Sequence, residues 1–123
     1  MPPTFHLSLP VRSVDESVEF FVQFLGATVE HRNASGYVNL DWYGTQLTLA
    51  EDAQVSASAE LHFGINVELE TFERMATTLV ENAPHAVAMQ PKTVDAGTPH
   101  ERRKMYLRCP SGYLIELKAF ATA

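Results

Sequence analysis

The chain repeats itself, and that repeat constrains its fold more than any other feature. Cut near residue 57, the two halves open on matching segments, Phe5-His6-Leu7-Ser8-Leu9-Pro10-Val11 and Leu61-His62-Phe63-Gly64-Ile65-Asn66-Val67. In each, an apolar residue precedes a histidine and a valine follows five positions after it. Both segments alternate as strands do. A repeat of this kind marks a structural unit that cannot bury its apolar face alone, so the two copies are expected to pack together.

Each opening strand leads into a helix. In the first half, Val14, Val18, Phe21, Phe24 and Leu25 recur at helical spacing. Ser13 or Asp15 can cap the start and Gly26 ends the run. Phe72, Met75, Ala76, Leu79 and Val80 make the matching stripe in the second half, ending near Asn82-Ala83-Pro84. Three strands should follow each helix. The first half places them at 28–32, 37–43 and 45–51, broken by Asn33-Ala34-Ser35-Gly36 and by Gly44. The second half places them at 87–91, 103–108 and 113–120, with Pro110-Ser111-Gly112 as the last turn. Residues 91–102, with Gly97 and Pro99, read as a longer loop of the kind that often carries function.

The expected fold is therefore α+β: two tandem βαβββ modules whose curved mixed sheets surround a metal-binding cavity. One domain, 1–123, contains module one at 4–51, a polar linker at 52–59 and module two at 60–120. A pseudo-twofold axis would bring the two opening strands, and their histidines, close together.

Composition narrows the partners. At 123 residues, with 46% apolar and 20% charged residues, the chain can bury the core of one ordinary globular domain. No apolar run is long enough to span a bilayer, and Met1-Pro2-Pro3-Thr4 does not open as a signal peptide does. The net charge of −6 argues against nucleic acid, which is bound mainly through Lys and Arg. Cys109 is the only cysteine, which excludes an internal disulfide and fits the cytoplasm. Two basic clusters stand out, Arg102-Arg103-Lys104 and Lys118. They read as a solvated strand edge, or as an attraction for a small anion.

His6 and His62 are set apart from His31, His85 and His100 because they occupy equivalent positions in the repeat. The symmetry that folds the chain would bring them together. Glu116, inside Tyr113-Leu114-Ile115-Glu116-Leu117, is an acid in an apolar strand, costly to bury unless it is paired or bound to a metal. Gln46 is its polar counterpart in the first half, two residues nearer the preceding glycine, which preserves its facing. Two histidines and one carboxylate form a facial triad with open positions. Such a set suits Fe(II) first, and also Mn(II), Ni(II) or Zn(II). With Gln46 as a fourth ligand the site becomes more Lewis-acidic in character. The metal-free reading pairs Glu116 with Lys118 or an arginine.

These residues, taken in order, resemble the vicinal oxygen chelate superfamily, which includes glyoxalase I, extradiol dioxygenases, and the bleomycin and fosfomycin resistance proteins. The resemblance runs from Phe5 to Phe120. It is carried by Phe5-His6, by Phe21 to Gly26, by Leu61-His62-Phe63-Gly64 and by Pro110-Ser111-Gly112 through Glu116. The small predicted extradiol-type dioxygenases are most similar, through His62-Phe63-Gly64, Glu101-x-x-x-Met105 and the ending Glu116-Leu117-Lys118-Ala119-Phe120. Tyr106 is similar in spacing to their active-site tyrosine. Cys109 stands where the family has Asp, a change in a turn. The resemblance implies a metal-dependent enzyme with Tyr106 and Glu116 as catalytic groups, acting on a small catechol-like or vicinal-oxygen substrate as a homodimer. Its alternatives are a glyoxalase-like lyase or isomerase, and a metal-free drug-binding resistance protein.

Overall fold

The structure is a computed structural model, and it describes residues 3–55 and 61–121. The chain divides into two compact units, Met1–Ala57 and Ser58–Ala123, and each is a βαβββ module. The expected linker at 52–59 lies outside the described residues from 56 onward.

Unit one runs β1 (His6–Val11), α1 (Val14–Leu25), β2 (Thr28–Arg32), β3 (Val38–Trp42) and β4 (Thr45–Glu51). Its sheet has the order β1-β4-β3-β2, with β1 parallel to β4 and the remaining pairs antiparallel. Alternation decides the two faces. Leu9, Val11, Val38, Leu40, Trp42, Leu47 and Leu49 are buried under α1, which contributes Val14, Val18, Phe21 and Leu25. Phe21 is fully buried and meets the Trp42 ring edge-on, with centroids 5.5 Å apart. Its burial stabilises the unit by about 2 kcal/mol. Trp42 Nε1 donates to the Leu25 carbonyl at 2.9 Å, tying β3 to the last turn of the helix. The first turn is tied to β4. Ser13 Oγ accepts from the Glu16 amide and Glu51 Oε1 accepts from the Val14 amide, so two of the helix's free N–H groups are satisfied.

Unit two runs β5 (His62–Asn66), α2 (Leu69–Asn82), a short 3-10 turn (Pro84–Ala86), β6 (Val87–Val94), β7 (Arg102–Arg108) and β8 (Leu114–Phe120). The sheet order is β5-β8-β7-β6, with β5 parallel to β8. Met105, Leu107, Ile115, Leu117 and Ala119 are buried against Phe72, Ala76 and Leu79 of α2. The opposite faces of both sheets carry the polar residues of the alternation, and the candidate site lies there.

Three expectations need correction. The strand expected at 37–43 ends at Trp42, because Tyr43 and Gly44 take positive φ values of 52° and 84°. A two-residue hairpin whose twist matches its strands requires that backbone. The strand expected to end at Pro91 continues to Val94 as an edge strand, with irregular pairing between Val87 and Lys92; Pro91 is tolerated there. The loop is correspondingly shorter, and Asp95, Thr98 and Glu101 bond within it. Finally, β7 and β8 are the two inner strands of their sheet, so the basic clusters do not lie on a strand edge. Among the described residues, no helix is long and apolar enough to cross a membrane.

Ser17 is fully buried in α1, and its hydroxyl has no hydrogen-bond partner among the described residues. A buried, unpaired hydroxyl costs stability that a methyl group does not. Ser17→Ala should therefore raise unfolding free energy by about 1 kcal/mol, read as a higher urea midpoint at unchanged slope. A lower midpoint would show that the hydroxyl is satisfied.

Candidate functional site

The site is best defined in unit two. Parallel pairing sets His62 beside Leu114 and Gly64 beside Glu116. His62 and Glu116 thus stand one step apart on neighbouring strands and on the same open face. Their side chains converge, with His62 Nε2 3.4 Å from Glu116 Oε1. Glu116 is the more sheltered partner, with its side chain 15% exposed against 42% for His62. The Tyr106 ring meets His62 edge-on at a centroid distance of 5.4 Å, and Tyr106 lies directly across from Glu116 in the β7–β8 ladder. His62 and Glu116 open onto a recess of about 190 Å³ lined also by Gly64, Asn66 and Lys118.

Gly64 makes this approach possible. A Cβ built on it would stand 1.9 Å from the Glu116 carbonyl oxygen, inside the backbone of β8. Any side chain there would push the strands apart where the histidine and the carboxylate must meet.

Unit one provides the other half of the expected set. His6 and Gln46 are direct partners in the parallel β1–β4 ladder and share its open face. The Gln46 amide donates to Glu30 Oε1 at 3.1 Å, so Glu30 is an acid at this cluster that sequence reasoning did not single out. It lies at the irregularity in β2–β3 pairing, which single-strand alternation does not reveal. The ladders also sharpen the correspondence between the halves. Ser8 pairs with Thr48 as Gly64 pairs with Glu116. Thr48 is therefore the positional counterpart of Glu116, and Gln46 stands one step earlier on the same face. Thr48 Oγ1 donates to Asn39 Oδ1 at 2.7 Å.

Within either unit, among the described residues, no three His, Cys, Asp or Glu side chains gather into a group that could hold a metal ion. Each unit holds a pair of its own: His62 with Glu116 in unit two, and His6 with Gln46 in unit one. The donors fit a divalent ion of borderline hardness. Adjacent ligands about 2.1 Å from one ion stand about 3 Å apart, close to the 3.4 Å between His62 and Glu116. Among the described residues, the Glu116 carboxylate stands against His62, and no ion pair joins it to Lys118 or an arginine.

The remaining histidines lie elsewhere. His31 is exposed on β2, His85 is in the 3-10 turn and His100 is in the β6–β7 loop. Cys109 is buried in the turn before β8. Its amide donates to the Tyr113 carbonyl, and its own carbonyl accepts from Gly112. Burial pushes its thiol above the ordinary range, against the activation a nucleophile needs.

The fold is that of the vicinal oxygen chelate superfamily, as solved structures show. A glyoxalase/bleomycin resistance protein/dioxygenase from Alicyclobacillus acidocaldarius matches with a TM-score of 0.76 and 25% identity, over 97% of this chain and 92% of that one. A glyoxalase/dioxygenase from Nostoc punctiforme matches at 0.77 and 22%, over 96% and 90%. The fosfomycin resistance protein FosX from Listeria monocytogenes matches at 0.76 and 16%, over 99% and 96%. No protein-family model matches the sequence, and no curated protein does.

Two outcomes follow from this geometry. Gly64→Ala should destabilise the chain by about 1–3 kcal/mol and speed hydrogen exchange at the amides of β8 around Glu116. Unchanged stability and exchange would mean that the strands tolerate the methyl group. Cys109 in the native chain should react with iodoacetamide at pH 8.5 at least tenfold more slowly than in urea, because the raised pKa leaves less thiolate and burial blocks access. Equal rates would show an open turn.

Proposed function

We propose that the chain is a divalent-metal-dependent enzyme, dioxygenase-like, acting on a small catechol-like or other vicinal-oxygen substrate. His6, His62 and Glu116 would hold the ion, Fe(II) first, with Gln46 available beside His6. The observation that carries this reading is the His62–Glu116 pair, 3.4 Å apart beneath the Tyr106 ring edge. An acid and an imidazole held together at the floor of a recess form two adjacent ligands. The ion would supply a Lewis acid that binds two vicinal oxygens and stabilises negative charge developing on them.

The protein's own groups then have separate tasks. Glu116, sheltered and acceptor-rich, would hold the ion beside His62 and offset part of its charge. Tyr106 presents a phenol next to His62, where it can donate a hydrogen bond to a substrate oxygen as charge builds. Half-burial of both groups keeps water from competing for those bonds. In this reading the chain works as a homodimer in the cytoplasm, on a small molecule rather than a nucleic acid or a membrane.

One observation favours a second reading. Gln46 lies directly across from His6, and as a fourth ligand it would leave two positions for a bidentate substrate. That arrangement suits a glyoxalase-like lyase or isomerase with Ni(II) or Zn(II), in which Glu116 or Gln46 moves the proton. A metal-free drug-binding resistance protein is the third reading. Against it stands the His62–Glu116 pair, which a purely apolar pocket would not need.

Metal content after purification without chelator, followed by reconstitution with Fe(II), Ni(II), Mn(II) and Zn(II), tests the site. About one ion per chain is expected, with His62→Ala weakening uptake at least tenfold. Failure to load any of the four overturns the metal reading in favour of the drug-binding one. Oxygen uptake by the Fe(II) form against a catechol panel then separates the two enzymes. Turnover is expected to fall about a hundredfold in Tyr106→Phe at unchanged metal content. No oxygen uptake, with metal affinity lost in Gln46→Ala, would favour the lyase.

A further inference from the structure

The sheet of unit two carries a row of three lysines across its open face. Lys92 of β6 is the ladder partner of Lys104 of β7, and Lys104 is the partner of Lys118 of β8. Asn66 of β5, paired with Lys118, completes the row. Like charges directly opposite one another on neighbouring strands are destabilising. Here two such pairs share the middle lysine. They do so in a chain of net charge −6, where acids were plentiful enough to interleave.

Neighbouring arginines are held by acids or a carbonyl, whereas Lys118 lies only over the Phe120 ring, Nζ 5.7 Å from its centroid. Arg102 pairs with Asp95 at 2.6 Å and Arg103 with Glu73 at 2.9 Å. Arg108 donates to the Gly112 carbonyl at 2.8 Å. Among the described residues, no ion pair includes Lys92, Lys104 or Lys118. Lys104 Nζ instead sits 5.2 Å from the Tyr106 ring centroid, leaning toward the row that holds Glu116. The fold does not demand these charges. In unit one the corresponding step of the β1–β4 ladder is Pro10 with Ala50, against Asn66 with Lys118 in unit two.

The row is one ladder step from the candidate chemistry. Glu116 and Lys118 face the same way two residues apart, about 7 Å along the strand, and both line the recess with His62. We propose that Lys104 and Lys118, with Lys92 behind them, bind an oxyanion on the substrate, a carboxylate or a phosphate. The reactive oxygens would then lie at His62, Glu116 and Tyr106. The spacing is about the reach of one six-membered ring substituted at both ends, so the ligand class is a small anionic ring compound such as a hydroxylated aromatic acid. This rests on the reading of His62 and Glu116 as the reacting end; the anion subsite itself needs no metal.

Calorimetric titration of the full chain, kept free of metal by chelator, tests the subsite with inorganic phosphate and with benzoate at constant ionic strength set by chloride. Saturable binding of at least one of them is expected. The double variant Lys104→Met, Lys118→Met should weaken it at least tenfold, and His62→Ala should change it less than threefold. Without the anion, Lys104→Met alone should raise the thermal midpoint, because it removes two like-charge contacts. No saturable binding, binding unaffected by the double variant, or a lowered midpoint in Lys104→Met would overturn the proposal. Metal uptake by the double variant keeps the two readings apart. Uptake retained with phosphate binding lost supports the subsite. Phosphate binding retained in a chain that loads no metal condemns the metal reading alone.

Discussion

The site depends on one pairing, that of the first strand of a module with its last. A βαβββ unit sends its chain across a helix before the remaining strands meander back, and in both units the opening strand pairs in parallel with the closing one. In unit two this sets His62 against the strand that carries Glu116. The helix is held to the same sheet by Phe72, Ala76 and Leu79. Because the faces of a strand alternate, the residues that anchor the helix also determine which residues face away from it. The core under α2 and the cluster above it are thus two faces of one register, and a one-residue slip would exchange them.

The two modules share a backbone plan but not a chemistry. Glu116 is matched in position by Thr48, and Tyr106, across from it, by Asn39, which lies across from Thr48. Unit one answers the acid and phenol of unit two with a hydroxyl and an amide bonded to each other. The histidines are kept in both. The carboxylate, the phenol and the last lysine of unit two thus meet Thr48, Asn39 and Ala50 at the matching ladder positions of unit one.

Much of this was legible in the sequence, for a physical reason. Repetition, helical stripes around Phe21 and Phe72, and Pro-Ser-Gly before the last strand are local signals, and each found its element. The facing of His6, Gln46, His62 and Glu116 was also legible, since it follows from alternation alone. What alternation cannot give is the partner across the ladder. The match of Thr48 rather than Gln46 to Glu116, the contact of Glu30 with Gln46 at an irregular pairing, and the continuation of β6 through Pro91 all depend on neighbouring strands. The basic clusters were misread as an edge for the same reason, because strand order within a sheet is not written in any one strand.

Strand order also changes what the lysines mean. On an edge, a lysine discourages unwanted pairing and its charge dissipates into water. On inner strands, with a neighbour on either side, a lysine must share its face with whatever lies across the ladder, and here that is another lysine. Screening by salt weakens such repulsion without removing it at a separation well inside the Debye length. A protein of net negative charge repels anions at long range, so a local positive row has to capture at close range any anion it is to hold. Close-range capture favours a ligand that also has something to offer the neighbouring row of Glu116, Tyr106 and His62.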